Sequence, residues 1–468
     1  MDFRRESITD LAADVRSGTR TAHQLVTHAL ERIEALNPRV NAFVAIDADD
    51  ALEAAARIDD AVAGGEDPGP LAGIPIGVKD LDDAAGFVTS QGSAVFAGGP
   101  AATEDSPLVA RLRAAGCVVV GKTNTPELGW KADTDNVAFG PTANPWNLAH
   151  SPGGSSGGAA AAIAAGMVPL ATGSDGGGSI RIPSSCCGLS GVKPSLGRVP
   201  SGGVHGSDWH DLSTKGPMAR RVADVVAALD VAVGPDPSDI RSLPRPEASW
   251  PAALAHAQLP TKVAWSPTLG YAPLDDEVRA RCEEAVAKLA ALGTEVIEIE
   301  VVFDEDPVRD WLTLALAYNW RTLAPYRDTD MWAQVDPLLA AQVDWAAEHL
   351  TALDVVQALD ACHRLNLRLV DLFRDVRLLL TPTCAGPPPL RSLEGQGLVN
   401  GELEANWVRF TYPFNMTRSP AASVCAGLTS DGLPVGIQLV GPQHADLVVI
   451  RSAAALEAAI GFDDVAPL

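Results

Sequence analysis

The sequence predicts an α/β protein with helices covering both faces of a sheet. Three observations lead there. Short apolar runs with the character of buried strands alternate with amphipathic segments of helical period. Apolar residues make up 47% of the 468 residues and charged residues 20%, the proportions of a soluble globular protein. No internal repeat is visible and no linker is long enough to demand a boundary, so one large unit accounts for the length.

Residues 1–65 read as an alanine-rich helical segment. Ser7 or Thr9 caps a short first helix, and Thr21 caps a second with Leu25, Ala29 and Ile33 on one face. A loop of Gly64, Gly65, Pro68, Gly69 and Pro70 then leads into IPIGVKD at 74–80, an apolar run shaped like a buried strand. Residues 105–115 read as a helix that stops at Gly116, and CVVVG at 117–121 as a further buried strand. The stretch 150–207 is dense in Gly, Ser and Pro around SGGAAAAIAAG. A linker would not carry its inserts VPLAT and SIRIP, so it reads as a sharply folded loop region inside the core. Beyond 218 the alternation resumes with a helix from Val222 to Val233. Residues 276–292 form an amphipathic helix with Val278, Cys282, Val286, Leu289 and Leu292 inward, stopped by Gly293. TEVIEIEV at 294–301 alternates as a strand, 307–372 is mostly helical, and 376–383 and 434–441 are apolar strands. Four of the ten tryptophans and two of the four tyrosines fall within 311–345, which points to an aromatic pocket wall there.

Charge and cysteine usage narrow the function classes. A formal net charge of −24 repels phosphate backbones and anionic membranes, so neither nucleic acid nor membrane is an expected partner. The seven cysteines are odd in number, scattered and without a CxxC pair, which favours free buried thiols in a reducing cytosol over disulfides or a zinc site. The opening MDFRRESITD has no apolar core of a signal peptide. The longest weakly polar run, 159–173, is broken by Pro169 and too short to span a bilayer. A cytoplasmic location is the expectation.

Three polar residues stand out because their settings are otherwise apolar or glycine-rich: Lys79 at the end of a buried strand, Ser155 within GGSSGG, and Ser179 after three glycines. Only seven lysines occur against 28 arginines, so each lysine counts. Burial in low dielectric favours the neutral amine, and a neutral lysine is a general base. Serine becomes a nucleophile once a neighbour takes its proton. Glycines before Ser179 leave backbone N–H groups unshielded, which suits an oxyanion hole. Together these residues supply base, nucleophile and electrophilic clamp.

Read as a set, the blocks resemble the amidase signature family. They are GIPIGVKD (73–80), SPGGSSGG (151–158), GSDGGGSIRIPSSCCG (173–188) and GVKPSLGRVP (191–200), with Ser155 and Ser179 24 positions apart. GKTNTPELGW (121–130), GPTANPWN (140–147), KGPMAR (215–220), FTYPFNMTRSPAASV (410–424) and GLPVGIQLVGP (432–442) follow the same family pattern in order. The resemblance implies one α/β/α unit around a central twisted mixed sheet, with a signature core over 70–220, a variable specificity region over 235–400 and a C-terminal core over 408–468. It also implies a Ser–cis-Ser–Lys triad in which Ser179 is the nucleophile, Ser155 bridges through a cis bond to Gly154, and Lys79 is the base. By the same resemblance, the N–H groups of Gly176, Gly177, Gly178 and Ser179 form the oxyanion hole. Asp175 and Arg181 brace the loop, and Ser156 helps orient Lys79. No metal or cofactor is implied, and a homodimer is. The expected reaction is hydrolysis of a small-molecule carboxylic amide through an acyl-enzyme. The same triad serves esters, carbamates, anilides and hydrazides. Gly129 and Trp130 are expected on the acyl channel, with Trp209, Tyr318 and Trp320 as candidates for an aromatic pocket. Arg418 and Cys425 depart from the family's late motif, where a small residue and a proline or aliphatic residue are expected.

Rival patterns carry less. Residues 116–123 satisfy GxxxxGK[ST], but their middle residues, Cys117 to Val120, are the strand rather than a phosphate-wrapping loop. The Gly–Ser run satisfies GxSxG, yet no strand precedes it and none of His205, His210, His256, His349, His363 and His444 sits in a catalytic setting. The alternative within the family is the A subunit of a tRNA-dependent amidotransferase. Such subunits carry a YDGxRYG-like stretch, where this chain reads WLTLALAYNWRTLAPYR at 311–327.

Overall fold

A computed structural model describes residues 1–202, 209–255, 259–393 and 395–468. Its strands, in chain order, are β1 (Phe43–Ile46), β2 (Pro75–Lys79), β3 (Val118–Thr123), β4 (Leu170–Asp175), β5 (Ser190–Lys193), β6 (Thr214–Ala219) and β7 (Lys262–Trp265). They continue with β8 (Glu295–Glu298), β9 (Leu379–Pro382), β10 (Gly397–Val399), β11 (Glu402–Glu404), β12 (Ala421–Leu428) and β13 (Pro434–Val440). Eleven of them form one mixed sheet in the order β1-β3-β2-β4-β6-β5-β12-β13-β9-β7-β8, while β10 and β11 pair separately. The predicted α/β class and mixed sheet are therefore present.

Strand β2 lies between β3 and β4, parallel to both. All five of its residues are buried, as a parallel strand covered on both faces requires. The helix Gly157–Ala164 packs on this part of the sheet and contains only Gly, Ala and Ile. Small side chains let it approach closely: a Cβ on Gly158 would lie 2.3 Å from the Asn124 nitrogen. Helices Val222–Ala232 and Asp276–Ala291 both pack on Asp446–Ile460; the first lies against β5 and β6, and the other two against β12 and β13. The caps follow local chemistry. Ser7, not Thr9, accepts from the first helical turn, and Thr21 forms a reciprocal capping box with Gln24.

Several expectations need correction. The N-terminal segment read as wholly helical contains β1, paired antiparallel with β3. Asn41, in the left-handed region at φ 55°, ends the preceding helix, and four residues are too few to show a period. The region 150–202 is less a loop than two strands, β4 and β5, and two helices, Gly157–Ala164 and Arg181–Cys187. Its Gly and Ser are there because the layers leave no room for larger residues, not because the chain is irregular. Leu292 is exposed, since the helix ends at Ala291 and Leu292 caps it. The strand expected over 294–301 shortens to β8 at the sheet edge. All seven cysteines are buried and unpaired. Among the described residues no helix is long and apolar enough to cross a membrane. His205 and His256 lie outside the described residues.

Candidate active site

Because β2 and β4 are parallel neighbours, their C-terminal ends share one edge of the sheet, where open α/β sheets place ligands. Lys79 is the last residue of β2, and Ser174 and Asp175 are the last two of β4. Lys79 is fully buried. Its Nζ donates to Ser155 Oγ at 2.8 Å and to Ser174 Oγ at 3.0 Å. Its backbone N–H donates to Thr172 Oγ1 of β4 at 2.9 Å. Ser155 follows a cis peptide bond from Gly154 and precedes the Gly157–Ala164 helix. Ser156 Oγ donates to the Ser174 carbonyl at 3.3 Å and accepts the Ser174 N–H at 3.4 Å. Ser156 thus bonds to the backbone of the serine that holds the lysine. Ser174 itself was missed in the sequence. Its signal is a hydroxyl at the penultimate position of a strand that runs beside the lysine's strand.

Ser179 is half-buried and borders the same cavity as Ser155 and Ser174. It lies in the turn between β4 and the helix Arg181–Cys187. Asp175 holds this turn by accepting the Gly178 N–H at 2.8 Å. Arg181 binds Asp175 through Nε at 2.9 Å and one terminal nitrogen at 2.8 Å. It also donates to the Thr411 carbonyl, Gln438 and Asn415, all from the C-terminal core. The turn's carbonyls are held as well: Trp311 Nε1 donates to Gly176 O at 3.0 Å, and Thr411 Oγ1 to Gly177 O at 2.6 Å. The N–H groups of Gly176, Gly177 and Ser179 have no acceptor among the described residues. Of the four N–H groups expected to form an oxyanion hole, the Gly178 proton is committed to Asp175. Gly178 has φ +133°, and a Cβ there would lie 2.4 Å from Thr411 Oγ1, so only glycine fits.

Asp175 and Arg181 form a fully buried ion pair. Burial alone would raise Asp175, but the Arg181 guanidinium, with Lys193 and Asn415, holds its carboxyl at about 2. Lys193, fully buried nearby, is pushed down to about 7 chiefly by burial, with Arg181 adding to it. Beneath Lys79, Lys215 Nζ binds Asp82 Oδ1 at 2.5 Å, and Thr172 Oγ1 donates to Asp82 Oδ2 at 3.3 Å. Lys122, the lysine of the GxxxxGK[ST] pattern, lies in β3 and donates to the Asp82 carbonyl at 2.5 Å and to Thr89 at 2.9 Å. Its amine is spent in the core, so the phosphate-loop reading is excluded.

A cavity of about 820 Å³ opens over Ser155, Ser174, Gly176 and Ser179. Gly129, Trp209 and Tyr318 line it, as the sequence predicted. A Cβ on Gly129 would come within 3.0 Å of Ser155 Oγ. Trp209 packs on Trp311 and Tyr318 at ring separations of 5.7 and 6.1 Å. Trp130 and Trp320 do not line the cavity but pack in an apolar cluster with Leu128, Leu323 and Leu339. Trp320 lies two residues beyond Tyr318 on a helix, about 200° around its axis, and so faces away. Leu128 and Gly129 both have positive φ, which turns the chain before Trp130. Sequence reasoning missed Leu81, Val95 and Phe96 on the wall; Tyr326, also on the wall, and Trp311, behind the turn, lie in the aromatic stretch 311–345 that it singled out without naming them as site residues. The segment 81–104 carries no motif of its own, so nothing in it pointed to the cavity. Arg418 donates to the Met416 carbonyl and pairs with Asp211 at 3.6 Å. Cys425 is buried in β12, its thiol pushed up to about 12 by burial. Neither residue lines the cavity.

Comparison with known proteins agrees with this geometry. The Amidase family model matches residues 24–450. An acylamidase of Rhodococcus erythropolis is 38% identical over 98% of this chain and 97% of its own length. The structure of a bacterial aryl acylamidase superposes with a TM-score of 0.90 at 30% identity, covering 97% of this chain and 96% of that one. A 6-aminohexanoate cyclic dimer hydrolase, solved with its substrate, also superposes with a TM-score of 0.90 at 30% identity, covering 100% and 99%. The chain belongs to the amidase signature family and is a hydrolase of carbon–nitrogen amide bonds.

Proposed function

We propose that this protein, acting alone, hydrolyses small amides bearing an aryl or compact apolar acyl group, through a Ser179–Ser155–Lys79 triad and an acyl-enzyme. The observation that carries this reading is the 2.8 Å bond from Lys79 Nζ to Ser155 Oγ, at the floor of a cavity that Ser179 also borders. Lys79, with its amine neutral, takes the proton of Ser155, and Ser155 takes that of Ser179. Ser179 Oγ attacks the carbonyl carbon, and the N–H groups of Gly176, Gly177 and Ser179 receive the oxyanion. Ser155 returns its proton to the leaving nitrogen as the C–N bond breaks. A water molecule, deprotonated along the same relay, then cleaves the ester to release the acid and restore Ser179. The apolar walls, with Trp209, Tyr318, Val95 and Phe96, support an aryl or compact hydrophobic substrate in a cavity of small-molecule size.

The test is turnover of a panel of anilides, primary amides, carbamates, hydrazides and esters by the purified protein. A fluorophosphonate adduct is followed by intact mass in wild type and in Ser179→Ala. Turnover by the protein alone, with the adduct missing from Ser179→Ala, is expected. Turnover that appears only with partner proteins and charged tRNA would overturn the stand-alone reading in favour of an amidotransferase subunit. An adduct that persists in Ser179→Ala would overturn the nucleophile.

A further inference from the structure

At the outer end of the cavity the helix Val308–Leu323 presents a cation. Tyr318 and Arg321 lie three residues apart, on neighbouring positions of one helix face. The Arg321 guanidinium therefore settles over the Tyr318 ring, 4.8 Å from its centre. Tyr318 packs in turn on Trp209, whose ring would lie 3.0 Å from a Cβ on Gly176. A path of aromatic surface thus leads from the turn that carries Ser179 to Arg321. Gly176, Trp209, Tyr318 and Arg321 all line the cavity, and Arg321 is the exposed one of the four.

The Arg321 side chain forms no ion pair or hydrogen bond among the described residues; its contact is the Tyr318 ring. A ring contact does not use the guanidinium N–H groups, which stay available to a carboxylate as two parallel donors. The rim also carries Asp83 and Glu104. Asp83 is near enough to the buried Lys122 to favour its charged form, so its charge is spent inward. Glu104 is exposed, and its side chain makes no ion pair or hydrogen bond among the described residues. Arg321 is instead held in place by a ring, and a pre-organised group costs less to order around a ligand. The net charge of −24 repels anions in general. Against that background one fixed cation selects by position, favouring an anion seated in the cavity over one at the surface.

We propose that Arg321 is a specificity-determining residue that binds a carboxylate on the substrate, separated from the scissile amide by an aryl or alkyl spacer lying along Trp209 and Tyr318. The inference rests on reading this cavity as the amidase site. The substrate class is then amides with the reacting carbonyl at one end and a carboxylate at the other, on either the acyl or the amine side.

The experiment uses two series of probes. The first is the 4-nitroanilides of the glutaric, adipic and suberic half-acids, each paired with a methyl-terminated acyl chain of equal length. The second is N-acetyl 4-aminophenyl alkanoic acids, each paired with the matching 4-alkyl acetanilide. Binding is measured by calorimetry on Ser179→Ala, and turnover on the protein with Ser179 intact. In at least one series the carboxylated member is expected to bind about tenfold more tightly and to show about tenfold lower KM at similar kcat. Arg321→Met should bring each pair within about twofold. Arg321→Lys should keep part of the preference, and Arg321→Glu should reverse it in favour of an amine-terminated analogue. High salt should shrink the preference, because Arg321 is exposed. A merely structural role, as a cation in the last helical turn, would move both members of a pair alike. Equal binding within every pair, or a preference that survives Arg321→Met, would overturn the proposal. A wild-type preference for the amine-terminated analogue would overturn it too and give the rim to Glu104. No turnover in either series, with the binding preference kept, would overturn the amidase reading and leave the Arg321 site standing.

Discussion

Around Ser179 the chain is held by polar bonds between buried groups, whereas along the helices of 308–372 it is held by apolar contact. Asp175, Arg181, Asn415 and Gln438 satisfy one another behind the turn, in a region closed to water. Trp311, Tyr318 and Cys362 meet one another and Trp209 through rings and methylenes, and the outer sides of the helices that carry the first three reach solvent. A polar network fails when one member is lost, because the remaining charge has no water to turn to. An apolar wall fails by degrees, in proportion to the contact removed. Reaction geometry therefore sits where the chain tolerates least, and substrate shape where it tolerates most.

The sharpest way to break this contrast is at the triad. Lys79→Ala should lower kcat/KM by about 10³-fold or more, and adding Ser155→Ala should cost little further, since the residues act as one unit. Steady-state kinetics on single and double variants read this directly. Next is the network behind the turn. Arg181→Met removes the counter-ion bonded to the buried Asp175 carboxylate, and should cost about 3–5 kcal/mol in denaturant unfolding. Acid tests the same pair. Asp175 lies at about 2, below its ordinary 3.8, so its contribution is present above pH 4 and is lost as pH falls towards 2. That shift corresponds to about 2 kcal/mol, and Asp175→Asn should lose no stability of this kind over the same window. On the apolar side, Trp209→Ala should raise KM about tenfold for an aryl substrate while kcat stays within about threefold. Cys425→Ala should change activity by less than about twofold and stability by about 1 kcal/mol or less, because its thiol donates to the Gly427 carbonyl and does not line the cavity.

Most of the proposed catalytic set was legible because its chemistry needs particular residue types at particular places. A lysine at the end of an apolar strand and serines among glycines are costly to bury without a use, so Lys79, Ser155 and Ser179 stood out. The helices Val222–Ala232 and Asp276–Ala291 were legible from their period. Strands β1, β4 and β5 were not, being four to six residues long or rich in glycine and serine. Trp130 and Trp320 were read as wall residues because sequence shows that an aromatic ring is present but not the side on which it emerges.

The sequence by itself determined the fold class and the family, and it singled out the residues proposed to react, since strand composition, helical period and the Gly–Ser blocks are local properties. Tertiary structure alone decided which backbone N–H groups of the turn are left without an acceptor, through the Asp175 side chain that claims Gly178. It alone placed Ser174 against Lys79, because strands far apart in sequence become neighbours only in the sheet. It alone set Leu81, Phe96, Tyr318 and Tyr326 around one cavity. Hydrogen-bond accounting and side-chain direction depend on what the rest of the chain brings alongside, and local sequence does not carry that information.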